Sequence, residues 1–414
     1  MIRVPNQRFV FGSLALLVAG MLPAFASCAE AENAGKKDED ASASVPQPDA
    51  AGDQSVDTDA GSGLLDAGGC DAAEKGCVDH VISCADVPWC PVETTVSSQF
   101  ALTAVWGSSK NDVWAVGSGG MIARYDGKEW KQTPTDVKNT FHAVWGSSAT
   151  DVYAVSMTDV MFHSTGFANG KAEWTKMPVA GNPGEWPMPA LSLWGTNADD
   201  VRVGVNGRMT FDPDTGEYNM IDQYTLKRDT DPDGGGPVVS WTGAAGDGNV
   251  HGIWGSSATD LWVIADNSQR NGWEKGLTRH GVAGGKGGLV WTSVDSQSTV
   301  VLRAIWGSSK DDVWAVGDKG TIRRMKSGAS RWAIVTSPTS ENLRGIWGSS
   351  ANDVWAVGDS GTILHFDGND WKKSEAAFAV GMIKPDLYGV WGSAANDVWI
   401  VGGNVALHYT GGSQ

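Results

Sequence analysis

The chain has 414 residues, a formal net charge of -17, 54 Gly and 21 Trp. So acidic a chain offers no basic surface to neutralise phosphates, which argues against a nucleic-acid partner or electrostatic binding to an anionic membrane. Many Gly and Trp with few Leu read as short strands joined by tight turns rather than as helices.

Residues 1–27 read as an export signal. Arg3 and Arg8 form the positive region, and Phe9 to Leu22 the apolar region, too short and Gly-interrupted to span a bilayer well. Two processing sites overlap. Ala24-Phe25-Ala26 fits ordinary signal peptidase and gives a soluble secreted or periplasmic product. Phe25-Ala26-Ser27-Cys28 resembles a bacterial lipobox, with Phe where Leu is usual, and would place a lipid on Cys28. Cysteine parity favours the lipid. Of five Cys, the set Cys70, Cys77, Cys84 and Cys90 can form two disulfides in an oxidising compartment, with three connectivities open, and Cys28 is left over. Zinc is the other use of the four, but their spacings lack the C-x-x-C knuckle it prefers.

Residues 28–69 read as a tether. From 29 to 69 the chain holds ten acids and two Lys, a net of -8, with only scattered apolar residues. Such a stretch cannot bury enough surface to offset its ordering entropy and is expected to be a self-repelling, disordered leash. Residues 70–90 then form a small disulfide-linked segment, and 91–414 the main domain.

In that domain one phrase returns seven times: an apolar pair, Trp-Gly, four small or polar residues, then Asp. The copies start at Trp106, Trp145, Trp194, Trp254, Trp306, Trp347 and Trp391, at spacings of 39 to 60 residues. An internal offset repeated at such a period marks a repeat architecture. The copy at 343–371 reads as four strands. Leu343–Gly348 and Asp353–Gly358 are joined by a turn, Thr362–Phe366 follows, and the Asp367-Gly368 hairpin leads to Trp371. The expected fold is all-β: a seven-bladed β-propeller of four-stranded antiparallel blades. The last copy runs out at Tyr409 without a fourth-strand Trp, whereas Trp89 precedes the first copy at the fourth-strand spacing. Residues 89–97 are therefore expected to return as the outer strand of blade seven, closing the ring and removing an exposed edge.

The phrases Trp-Gly-Ser-Ser-x-x-Asp-Val-Trp-Ala-Val-Gly and Gly-Thr-Ile-x-His-Phe-Asp-Gly-x-x-Trp resemble repeats of bacterial exported propeller lipoproteins. They are more distantly similar to tectonin-like, BNR and photosystem-assembly-factor-like propellers. The resemblance implies binding of proteins or glycans. The BNR group includes sialidases, but their catalytic set cannot be placed here.

The repeat explains most polar residues. The recurring Asp, such as Asp353, is expected to bond nearby backbone amides and fix a turn. His163, His280, His365 and His408 fall on third strands and are expected to bond a Ser, Asp or Trp of their own blade; His80, His142 and His251 lie elsewhere. Arg202 stands where the other second strands have an aromatic, as a degenerate blade or a ligand groove would have it. Asp229, Asp231 and Asp233, with Gly at the sixth position, resemble the start of a calcium loop. Ser240 occupies the twelfth position in place of Glu, so calcium is the one candidate cofactor and a plain acidic loop the alternative. Blade three leaves its fourth strand open between a start near Tyr218 and one at Trp241.

Two Trp are unused by the repeat: Trp186, in an insertion after blade two, and Trp273, between the second and third strands of blade four. Both connections emerge on one propeller face. Trp on exposed loops can stack on sugars or fill a protein hot spot; the alternative is that each anchors its own insertion. The expectation is a monomeric, non-enzymatic binding or scaffolding module for a surface protein or glycan. It meets the membrane through its lipid only, at the outer membrane or cell surface. Alternatives are a glycoside hydrolase or lyase with an acidic channel site, and a purely structural envelope protein.

Overall fold

A computed structural model describes residues 82–133, 135–156, 160–177, 189–211, 216–230, 237–246, 248–267, 275–285, 288–378, 383–409 and 411. The chain divides into two units, Met1–Leu65 and Asp66–Gln414. The first lies outside the described residues.

Among the described residues the second unit contains 28 strands. β1 is Trp89–Val92. Blade one is β2 Leu102–Ser109, β3 Asp112–Gly117, β4 Ile122–Tyr125 and β5 Trp130–Gln132. Blade two is β6 Phe141–Ser148, β7 Asp151–Ser156, β8 Met161–Ala168 and β9 Lys171–Met177. Blade three is β10 Ala190–Asn197, β11 Asp200–Phe211, β12 Tyr218–Thr230 and β13 Pro237–Ala245. Blade four is β14 Asn249–Ser257, β15 Asp260–Asp266, β16 Leu277–Ala283 and β17 Leu289–Ser293. Blade five is β18 Leu302–Ser309, β19 Asp312–Gly317, β20 Ile322–Lys326 and β21 Ala333–Val335. Blade six is β22 Leu343–Ser350, β23 Asp353–Gly358, β24 Ile363–Phe366 and β25 Trp371–Lys373. Blade seven is β26 Leu387–Ala394, β27 Asp397–Gly402 and β28 Val405–Tyr409. All pairings within these sheets are antiparallel, and blades three and four are joined by one further pair, Asn206 with Asn249.

β1 completes blade seven, with Trp89 opposite Tyr409 and Val92 opposite Ala406. The strand is shorter than the expected 89–97. Cys84 is bonded to Cys90, the second residue of this strand, which removes the two connectivities that separate this pair. Cys70, Cys77 and Cys28 lie outside the described residues.

The Trp-Gly phrase is explained by packing between blades. A methyl group on Gly107 would lie 2.6 Å from the Trp391 ring, and one on Gly146 2.5 Å from Trp106. The same relation runs on from Trp145 to Gly195, Trp194 to Gly255, Trp254 to Gly307, Trp306 to Gly348 and Trp347 to Gly392. Each first-strand indole thus lies over the bare glycine of the next blade, and the chain of contacts returns to its start. A second layer lies farther out. The second-strand indole meets the fourth-strand indole of the next blade edge to face: Trp114 with Trp174, Trp262 with Trp332, Trp314 with Trp371, Trp399 with Trp130. Trp89 fills that place for blade seven, 4.9 Å from Trp355.

The recurring Asp does fix its blade, but through side chains. Asp112 accepts from Ser108 (2.6 Å) and Arg124 (2.5 Å), and Asp353 from His365 (2.6 Å) and Ser349. His163, His280 and His408 bond Asp151, Asp260 and Asp397 in the same way, and the His280, His365 and His408 rings stack on Trp262, Trp355 and Trp399. Blade three lacks a third-strand base because Thr225 pairs with position 202. Arg202 supplies the missing donor from the second strand, giving 2.7 Å to Asp200 and 3.0 Å to the Ala258 carbonyl. It is a structural replacement.

These pairs set a pH dependence. Burial works against ionising Asp353, but the hydrogen bonds from His365 and Ser349 outweigh it and hold the carboxyl below its usual range; Asp151 is held down in the same sense. A carboxylate depressed in the folded state contributes stability that is complete above the unfolded value, about 3.9, and is lost as pH falls through the folded value. Asp353→Asn is expected to remove part of the acid sensitivity, read as a smaller drop in urea midpoint between about pH 5 and pH 3 than wild type shows.

Candidate functional site: the mouth of the central channel

The seven first strands surround a channel cavity of about 720 Å³. One position of these strands decides its chemistry. The residue after the leading apolar one is Thr103, His142, Leu191, His251, Arg303, Arg344 and Tyr388 in turn, and each lines the cavity. Two positions further on, Val105, Leu193, Ile253, Ile305, Ile346 and Val390 form an apolar collar. A ring of mixed polar groups thus stands over an apolar throat.

The mouth opens on the face where second strands turn into third strands. There the Asp318 amide bonds the Val301 carbonyl and the Asp359 amide the Asn342 carbonyl, tying each such turn to the start of its own first strand. The same turns carry the carboxylates that set the mouth's charges. Arg303 gives both Nε and Nη2 to Asp318, and Arg344 does so to Asp359, with the Nη2 bonds at 3.1 Å in each. Asn342 adds a 2.8 Å bond to Asp359. Burial opposes ionisation of Asp359, but Arg344 and Asn342 prevail and hold its carboxyl below the usual range. Across the ring His251 bonds Asp266, which also accepts from Asn249 at 3.0 Å. Arg344 lies over the Tyr388 ring at 5.3 Å, and burial pushes the Tyr388 hydroxyl upward. Burial alone drives the His142 imidazole downward, so it favours the neutral form. The guanidinium forks are held by carboxylates before any ligand arrives, so little side-chain freedom is lost on binding.

Among the described residues the channel lining contains no carboxylate, and Asp266, Asp318 and Asp359 beside it are each paired. The glycosidase alternative calls for two carboxylates facing each other. No group of three or more His, Cys, Asp or Glu able to hold a metal occurs among the described residues.

Neither a family model nor a curated protein matches the chain. Solved structures do. YCF48 bound to D1 peptide superimposes with a TM-score of 0.57 at 16% identity, over 79% of this chain and 96% of that one. A streptogramin B lyase gives 0.56 at 14%, over 77% and 96%, and the WD40 β-propeller domain of Doa1 gives 0.54 at 11%, over 78% and 97%. The likeness is one of fold. The propeller is common to a peptide complex and a lyase, so the chemistry must be read from the side chains of this chain.

The residues singled out by sequence are not those that gather here. Trp186 and Trp273 lie outside the described residues, although the strand ends flanking them, Met177 with Ala190 and Asp266 with Leu277, are on the mouth face. Asp231 and Asp233 also lie outside; the backbone of Asp229 pairs with Val238 near the end of β12, and its side chain is not described. Trp241 is in the fourth strand of blade three, and the ends of β12 and β13 that pair there, Thr230 with Pro237, are at the opposite face. Blade three adds a feature that the sequence reading missed. β11 and β12 extend as a ribbon on the mouth side, ending with Phe211 opposite Tyr218.

Proposed function

We propose that this chain is a monomeric, non-enzymatic recognition module, exported and held at the outer membrane or cell surface by a lipid on Cys28. Its relatives by this reading are bacterial repeat-propeller lipoproteins, and its ligand is a surface protein or glycan. The observation that carries the reading is the channel mouth, where pre-set Arg303 and Arg344, His142, His251 and Tyr388 surround an apolar collar on one face. A group entering this site buries apolar surface in the collar while its polar atoms meet donors at the rim, as binding pockets require. A protein loop suits both layers better than a sugar, which would leave the collar unfilled.

The test uses the full chain, captured on a surface and exposed to detergent-solubilised envelope proteins and to a glycan array. Arg344→Ala/Tyr388→Ala is expected to weaken a protein hit by tenfold or more, since an Arg and an aromatic side by side form the kind of anchor that dominates interfaces, at roughly 2 kcal/mol or more. A hit that survives places the site elsewhere, with the Trp186→Ala/Trp273→Ala pair as the next variant. A glycan hit with no protein hit reverses the ligand class, and no hit at all favours the structural role. Palmitate labelling that is not lost in Cys28→Ser would refute the anchor.

A further inference from the structure

The outer edge of blade three is built differently from the other six. A blade ends in a strand whose outward N–H and C=O groups have no neighbour, and such edges accept foreign chain unless they are short, charged or interrupted by Pro. β5 and β25 have three residues each and carry Lys131, Lys372 and Lys373. β9 carries Lys171, Glu173 and Lys176, and β1 contains Pro91. β21 has three residues and β17 five. β13 runs for nine, Pro-Val-Val-Ser-Trp-Thr-Gly-Ala-Ala, with no charge and its one Pro at the start. Ser240, Thr242, Gly243 and Ala245 are exposed along it, and among the described residues no strand pairs with its outer side.

β13 also stops before the strands it lies on. Ala245 faces Ile221, while β11 and β12 continue to Phe211 and Tyr218. On this overhang Met209 is 55% exposed, Phe211 44% and Tyr218 69%, with the two rings 5.2 Å apart. The edge is therefore a step: a long uncharged strand, then an apolar shelf.

We infer that blade three accepts an extended segment of a partner protein as a fifth strand, antiparallel to β13. The segment is uncharged along β13 and apolar at its N-terminal end, where it crosses the shelf. Main-chain bonds supply affinity in such strand addition and alternate side chains the specificity, and the antiparallel ladder is the more stable one. A second copy of this chain paired edge to edge would set its Pro237 opposite Ala245, so its own strand would begin where the shelf starts and leave Phe211 and Tyr218 uncovered by the ladder. The inference stands independently of the channel mouth.

Two capped peptides test it on the full chain: one with the nine-residue sequence of β13, and one extended at its N-terminus by Val-Phe-Val. The longer peptide is expected to bind roughly tenfold tighter, from the apolar surface it buries on the shelf. It should also slow amide exchange across 237–245. Ser240→Lys/Thr242→Lys should abolish both effects with the thermal midpoint unchanged. Phe211→Ser/Tyr218→Ser should remove only the gain from the extension. No protection of 237–245, or undiminished binding by the lysine variant, overturns the inference. So does a concentration-dependent dimer that forms without peptide and is lost in the lysine variant, since that assigns the edge to a second copy.

Discussion

Trp89→Ala is expected to lower stability by about 3–5 kcal/mol, the range for removing a large aromatic from a core. The side chain is fully buried, edge to face with Trp355 and 5.1 Å from the Tyr409 ring. The ladder it anchors is only four residues long, and a strand so short is held by its side chains more than by its hydrogen bonds. Loss of the anchor should therefore free the whole closing strand and expose the edge of β28. Thermal or urea unfolding measures the size of the effect. Amide exchange locates it: protection should fall first across 405–409 and remain across the inner strands of blades two to five. An unchanged midpoint would mean that the ring is closed by the first-strand contacts alone. Those contacts also run full circle, from Trp391 onto Gly107, so the measurement separates the inner seam from the outer one.

The place of Trp89 was legible because spacing in a repeat is metric information: a missing outer Trp at one end and a surplus one at the other have a single geometric solution. The blade interior was legible for the same reason, since Trp-Gly is one residue pair read by two neighbouring blades. The Asp partners were half legible. Turn chemistry predicts backbone acceptors, but the cross-strand register places Trp355 beside His365 and brings the imidazole onto the carboxylate. The channel mouth escaped notice although its signal is present. In a strand where the Trp, the Gly and the apolar positions return in every blade, the second position alone runs through Thr, His, Leu, His, Arg, Arg and Tyr. Positions that pack must repeat, because each fits the same neighbour. A position that faces open channel has no such constraint, and its variation is the mark of the site. Blade three was the least legible. Its third strand is found only by register, and the overhang of β11 and β12 on β13 depends on where pairing stops.

Asp312→Ala tests whether the Asp and its base form one structural unit. Asp312 accepts two bonds from Arg324, at 2.7 and 2.8 Å, and the Arg324 guanidinium lies 4.2 Å from the centre of the Trp314 ring. Both charged side chains are largely buried, at 16% exposure for Arg324 and 9% for Asp312. Removing one partner of such a pair strands the other charge, at a cost of about 3–5 kcal/mol. Arg324→His is expected to lose only a small part of that. It recreates blade six, where His365 stacks at 4.0 Å on Trp355 and bonds Asp353 at 2.6 Å. The double variant Asp312→Leu/Arg324→Leu should recover much of the loss as well, because exchanging a buried pair for apolar side chains removes both desolvation penalties. Urea unfolding of the three variants distinguishes the possibilities. If Arg324→His is as damaging as Asp312→Ala, the blades are not interchangeable, and the recurring base has a role particular to its own blade. If the double Leu variant fails while Arg324→His succeeds, the network is needed to hold the turn after β18 in register with β20. In that case the hydroxyl of Ser308, which bonds the same carboxylate at 3.4 Å, becomes the third member to replace.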